Sequence, residues 1–292
     1  MININNVSFS YGNSLSLKDV NLQESEPIIV GLWGRNGAGK TTLMKLLSGQ
    51  EKPSYGQVSI NGQSPYNNSE GMKEISYMQE NHPFSDLWNV NDALRFGSYF
   101  NENWDQALAD ELVELFELPT KKKIRKFSKG MQTMVKITIG LAGKSPITIM
   151  DEPTNGLDAH MRKQFYDALL DTYEEQPRLF ILSSHHINEL EPLCEKIAIV
   201  DEQTVIRYED TETLKMQGII LNGPASEVED LARKSHIIEK RKLGSQMKVM
   251  LDEPYNDEWC TRAKNAKIKI EKAPLQDYLI NITKKQKEAE RT

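Results

Sequence analysis

The chain has 292 residues, 27% of them charged, and a formal net charge of −6 at pH 7. That length allows one large domain or a domain with an appendage, with a sizeable buried core. The acidic balance leaves no basic excess to neutralise a phosphate backbone, which argues against a nucleic-acid-binding body. Two cysteines, Cys194 and Cys260, stand far apart in no metal or disulfide spacing, as expected of a reducing cytoplasm. Residues 1–6 lack the basic-then-apolar form of a signal peptide, and no apolar run approaches the roughly 18 residues of a membrane span. The expectation is a soluble chain that reaches a membrane only through a partner.

Residues 2–8 and 15–22 alternate apolar and polar side chains around Tyr11-Gly12-Asn13, predicting two strands joined by a turn. An apolar run at 28–33 predicts a buried parallel strand, followed by a helix at 43–47. Residues 57–60 lie between the turn signals Pro53-Ser54-Tyr55-Gly56 and Asn61-Gly62, predicting a short hairpin strand, and 74–79 predict another strand. From 89 to 143 the pattern is helical, with Trp104, Leu108, Leu112 and Leu115 on one face, and a second helix expected at 131–142. Strand–helix alternation then returns: strands at 147–150, 179–182 and 197–200, helices at 162–173 and 187–194. Such alternation implies an α/β core with a largely parallel sheet covered by helices. Beyond about residue 212, strands near 218–224, 237–239, 247–251 and 268–270 and helices at 226–233, 257–264 and 275–282 predict a small α+β appendage.

Gly34-Arg35-Asn36-Gly37-Ala38-Gly39-Lys40-Thr41-Thr42 fits the phosphate-loop pattern G-x-x-x-x-G-K-[ST], with a strand before it and a helix after it. Its glycines let successive N–H groups point inward, and the helix adds its positive dipole end. Lys40 then reaches the β- and γ-phosphates and the Thr41 hydroxyl holds Mg²⁺. Three further strands deliver polar side chains to the ligand edge of a parallel sheet. Asp151 and Glu152 follow 147–150, the first as a Mg²⁺ ligand and the second polarising the attacking water. His185 follows 179–182, and Gln79 ends 74–79, placing an amide near metal and water. Ser128 is a natural helix cap, and Gly130 allows an anion close to free N–H groups; alone, that pair is a weak signal.

In this order the motifs resemble the ATP-binding subunit of an ATP-binding cassette (ABC) transporter over about residues 1–210. The resemblance implies a P-loop nucleotide-hydrolase core with an antiparallel β subdomain and a helical subdomain (about 82–143); beyond it lie the small C-terminal α+β appendage read from the pattern (211–283) and a charged tail (284–292). It implies that Tyr11 stacks on adenine, that Gln79 senses the membrane partner, and that Ser128-Lys129-Gly130-Met131 is the signature peptide. It likewise makes Asn155-Gly156-Leu157-Asp158 the loop that crosses a dimer and His185 the switch histidine. Lys129 and Met131 depart from the usual signature, which has a second glycine and a Gln there; Ser128 and Gly130, the contacts to the γ-phosphate, remain. The implied activity is hydrolysis of ATP with Mg²⁺, by a homo- or heterodimer of ATP-binding subunits on a transmembrane permease at the inner face of the cell membrane, with no nucleic-acid partner. The segment 274–283 resembles the tail of bacterial drug, antibiotic-response and peptide exporters. Two other readings stay open: an ABC-fold ATPase unconnected to transport, and a nucleotide-binding regulatory module with little turnover.

Overall fold

The computed structural model describes residues 1–81 and 83–284, so His82, where the helical insert was expected to begin, and 285–292 of the expected charged tail lie outside the described residues. The chain divides into two compact units, Met1–Tyr208 and Glu209–Thr292.

The first unit opens with β1 (Ile2–Tyr11) and β2 (Ser14–Glu24), antiparallel across a turn at Gly12 and longer than the alternation predicts. Their buried faces carry Ile2, Ile4, Val7 and Phe9 on one strand, Leu17, Val20 and Leu22 on the other. Then come β3 (Ile29–Trp33), α1 (Lys40–Leu47) and β4 (Tyr55–Ile60). The hairpin predicted around 57–60 shrinks to a single bridge, Ile60 to Gln63; β4 instead pairs along β1, giving the order β2-β1-β4. Its alternating Val58 and Ile60 are buried in the same core as Ile2 and Ile4, which rewards pairing with β1 over a local hairpin. A short helix the sequence did not signal, α2 (Ser69–Lys73), is started by the Asn68 side chain, which accepts from Gly71 N.

After β5 (Ile75–Met78) come three helices: α3 (Val90–Phe100), α4 (Gln106–Leu115) and α5 (Lys129–Ala142). Asn89 and Asp92 form a capping box on α3, and Asp105 caps α4. The buried face of α4 departs from the predicted stripe. Ala109, Leu112 and the following Phe116 are buried, Leu115 is exposed, and Trp104 precedes the helix. Trp104 lies ahead of the Asp105 cap and so outside the helix, and the buried face follows the i, i+3, i+7 spacing of Ala109, Leu112 and Phe116 instead.

Next are β6 (Ile147–Met150), α6 (Ala159–Glu175), β7 (Leu179–Ser184), α7 (Ile187–Leu190), β8 (Lys196–Asp201) and β9 (Thr204–Asp210), the last unpredicted. The six-stranded sheet runs β5-β6-β7-β3-β8-β9, with the pairs β5–β6, β6–β7, β7–β3 and β3–β8 all parallel. Every residue of β3, β6 and β7 is buried, as expected of strands covered on both faces. The four strands β3, β5, β6 and β7 therefore end at the same sheet edge.

The second unit contains α8 (Thr211–Lys215), β10 (Gln217–Pro224), α9 (Ala225–Ala232), β11 (Ile237–Leu243), β12 (Gln246–Pro254), α10 (Asp257–Asn265), β13 (Lys269–Lys272) and α11 (Leu275–Lys284). Its antiparallel sheet runs β11-β12-β10-β13. Ile219, Leu221, Val249, Leu251 and Trp259 form a core of its own.

Candidate functional site

The phosphate loop leaves β3 at the sheet edge and closes onto α1. Gly39 has φ 111°, and a Cβ there would lie 2.7 Å from Leu17 Cδ2, so only glycine fits the last step into the helix. Lys40 turns back over the loop: its Nζ donates to Gly34 O at 2.7 Å and pairs with Glu152 Oε1 at 3.3 Å, almost wholly buried. Ser16 on β2 shares a 2.8 Å hydrogen bond with Thr42 Oγ1, tying the loop's helix to the antiparallel sheet.

Two carboxylates follow β6. Asp151 accepts from Thr41 Oγ1 at 2.8 Å on one oxygen and from Ser183 Oγ at 2.7 Å on the other. Burial raises the Asp151 carboxyl above the usual carboxylate range, and Glu152 adds to this; the Ser183 and Thr41 hydrogen bonds and Lys40 oppose it. Glu152 sits in the left-handed backbone region at φ 48°, with its N–H donating to Ser183 Oγ at 2.8 Å. Such strain in a non-glycine residue persists only where surroundings over-determine it. The Glu152 carboxylate stands between Lys40 and His185, whose Nδ1 donates to Oε2 at 2.9 Å. His185 thus comes from the end of β7 to the same point, while His186, the residue before α7, sets its ring against that of His185 at 3.9 Å between centres, tilted by 44°.

Behind this pair lies a buried carboxylate. Glu189 accepts from Thr154 Oγ1 and Ser184 Oγ, each at 2.6 Å, and so links the segments after β6 and β7. The cavity at the sheet edge, about 330 Å³, is walled by Arg35, Asn36, Gly37, Gly39 and Lys40–Thr42 on the loop side, with Ser16, Glu80, Glu152, Asn155 and His185 facing them.

The other expected site residues lie elsewhere. Ala38 is buried behind the loop. Tyr11 is half-exposed on β1, edge-on to Phe9 at 4.8 Å and 5.8 Å from Lys45 Nζ. Gln79 lines a second cavity, and its neighbour Glu80 borders the phosphate pocket. Ser128 caps α5 through Met131 N, and Asp158 caps α6 through Met161 N; neither they nor Gly130 line the phosphate cavity. A Cβ on Gly130 would meet Gly156 O at 2.7 Å, so this glycine lets the start of α5 lie against the 155–158 turn.

The residues missed from the sequence include Ser16, Glu80, Ser183 and Glu189. Ser183 stood in plain view before His185, but nothing in one strand tells that its hydroxyl bridges two residues of another. The second cavity, about 700 Å³, is largely apolar, with Tyr77, Trp88, Phe96 and Phe100 among its walls and Gln79 and Lys136 at one side. Trp88, Phe96 and Phe100 stack in series at 4.6 and 4.8 Å, and Phe100 is 66% exposed.

Comparison with known proteins places this geometry in context. A family model described as "ABC transporter" matches residues 17–155. The bacitracin transport ATP-binding protein BcrA of Bacillus licheniformis is 31% identical over 208 residues, 70% of this chain and 68% of that protein. ABC transporter ATP-binding protein YtrB of Bacillus subtilis is 27% identical over 219 residues, 75% of each chain. Among solved structures, the post-hydrolysis dimer of the ATP-binding cassette MJ0796 with ADP and Pi aligns with a TM-score of 0.64 at 24% identity, covering 72% of this chain and 99% of that one. That likeness speaks for the fold.

Proposed function

Because the chain belongs to the ABC transporter family, as one of its ATP-binding and ATP-hydrolysing subunits, we propose that it powers export across a bacterial membrane. In this reading it closes on ATP with a second ATP-binding subunit while docked on a separate permease at the inner membrane face. The observation that carries the reading is the meeting of Lys40, Thr41, Asp151, Glu152 and His185 from α1, β6 and β7 at one sheet edge.

Lys40 holds the phosphates as a point charge, and the loop N–H groups supply the remaining donors. Thr41 and Asp151 bring two hard oxygens within 2.8 Å of each other, the donor chemistry that Mg²⁺ prefers. When bound there the ion neutralises phosphate charge. Glu152 orients the attacking water and accepts its proton, and His185 holds that carboxylate in place. Gln79 is the proposed link between this chemistry and the permease: it adds an amide oxygen for metal and water when its segment moves. Tyr11 supplies the adenine stack.

Ser128, Gly130 and Asp158 lie off this cavity, which supports their action on ATP held by the other subunit. The aromatic groove beside Gln79 is of a kind that accepts a short helix, which supports permease docking there. Similarity to an antibiotic-transport subunit favours the export direction. No helix among the described residues is long and apolar enough to cross a membrane.

The test is size-exclusion chromatography of Glu152→Gln with and without Mg-ATP. The expected result is an ATP-dependent shift to dimer with turnover abolished. A monomer that binds ATP, unchanged in size and hydrolysing as before, overturns the mechanism.

A further inference from the structure

Helix α5 carries two lysines seven residues apart, which at 3.6 residues per turn stand on one face, two turns from each other. Both grip the stretch that follows β5. Lys136 Nζ donates to the backbone oxygens of Gln79 at 3.1 Å and Glu80 at 2.7 Å. Lys129 Nζ reaches Glu80 Oε1 at 3.2 Å, and Asn155 Nδ2 donates to the same oxygen at 2.6 Å. Burial holds the Lys136 ammonium below the ordinary lysine range, with Glu80 opposing that and Lys129 adding to it.

Two features of this arrangement are costly by themselves. Lys129 is the first residue of α5, and the positive end of a helix disfavours a cation. Glu80 sets a carboxylate on the wall of a cavity shaped for polyphosphate, where like charges repel. Each fault cancels the other when the two side chains pair. The rest of the contact suits this: the Lys129 stem runs past Gly156, where an added Cβ would meet Lys129 Cγ at 3.1 Å.

We propose that Lys129, standing where the signature usually has glycine, is the counter-ion that neutralises Glu80 at the rim of the phosphate cavity and thereby sets the affinity for a nucleoside triphosphate. It rests on the ATP-binding reading of that cavity. It makes Lys129 a positioning residue acting through Glu80, and it ties the signature segment of a chain to that chain's own phosphate site.

The proposal predicts effects of opposite sign for two partners of one ion pair. Lys129→Gln removes the carboxylate's ion-pair partner, leaving Asn155 and the more distant Lys136 charge, and weakens binding. Glu80→Gln removes the repulsion and leaves binding as tight as in the native chain or tighter. The double variant returns to near the native value, and Lys129→Arg stays near it throughout. Lys129 is 54% exposed and Glu80 25%, so water screens the pair and the loss for Lys129→Gln is modest, about three- to fivefold in Kd at low salt. It fades as salt approaches about 0.5 M.

The experiment is calorimetric titration of the full chain with the Mg²⁺ complex of the non-hydrolysable β,γ-imido analogue of ATP, with circular dichroism to check folding of each variant. Weakening in Lys129→Gln that is salt-dependent and reversed by Glu80→Gln supports the proposal. If both single variants weaken binding alike, or the double variant stays as weak as Lys129→Gln, the pair is a mechanical tie and the proposal falls. A native chain that does not bind the analogue overturns the ATP-binding reading itself, and the proposal with it.

Discussion

Ser183 holds the two carboxylates of the site in register although it does not line the phosphate cavity. Its hydroxyl donates to Asp151 and accepts from the backbone N–H of Glu152, at a residue with no exposed surface. Ser183→Ala strands a buried N–H and strips a donor from a buried carboxylate, a stability cost of about 1–3 kcal/mol. Turnover should suffer more than binding, because the left-handed backbone at Glu152 loses what holds it. The expected outcome is a fall in kcat of about tenfold or more with the KM for ATP nearly unchanged, read from ATPase kinetics beside a thermal melt. At this scale the site was partly legible. Lys40, Thr41, Asp151, Glu152 and His185 stand in or beside contiguous motifs whose chemistry is local. Ser183 and Glu80 act through residues more than 30 positions away, and no local pattern carries that.

Between elements, Glu24 performs a similar service for the two sheets of the first unit. At the end of β2, buried, it accepts from Lys196 on β8 at 2.9 Å, from Tyr208 on β9 at 2.5 Å and from the N–H groups of Ser25 and Glu26. Burial pushes this carboxyl up, but the hydrogen bonds from Tyr208, Glu26, Lys196 and Ser25 outweigh it and hold it at about 2. A carboxyl depressed in the folded state stabilises fully above its unfolded value, near 4.5, and that contribution is lost as pH falls towards 2. Glu24→Gln is expected to cost on the order of 2 kcal/mol at neutral pH and to flatten the stability profile between about pH 4.5 and 2, measured by urea unfolding across that range. Alternation found β1 and β2, which each bury one face, and apolar runs found β3, β6 and β7, which are buried throughout. The local pattern placed β4 in a hairpin and missed β9, since which strand lies beside which depends on cores assembled from distant segments.

For the whole molecule, the chain forms two units with separate cores, one built on the β1–β2–β4 sheet and the parallel sheet, the other on Ile219, Leu221, Val249, Leu251 and Trp259. Only the first holds the cavity at the sheet edge. Leu221 is fully buried in the second, so Leu221→Ala is expected to destabilise that unit by about 2–5 kcal/mol. Differential scanning calorimetry should show one transition moved down by the substitution and another raised by Mg-ATP, because ligand stabilises only the unit that binds it. A single transition that responds to both would show that the units unfold together.

By itself the sequence determined the chemistry of this protein: a phosphate loop between strand and helix, two carboxylates and a histidine at strand ends, and an α/β alternation that brings those ends to one edge. Those signals are short-range, since backbone conformation and strand burial are imposed on contiguous residues. The tertiary structure alone decided that Glu80 and Asn155 border the phosphate cavity, that Ser183 and Glu189 bind strand-end segments together, and that Lys129 pairs with Glu80. The reason is register: a side chain's partner is chosen by how neighbouring strands and helices slide and turn against one another, and that alignment belongs to the packed core.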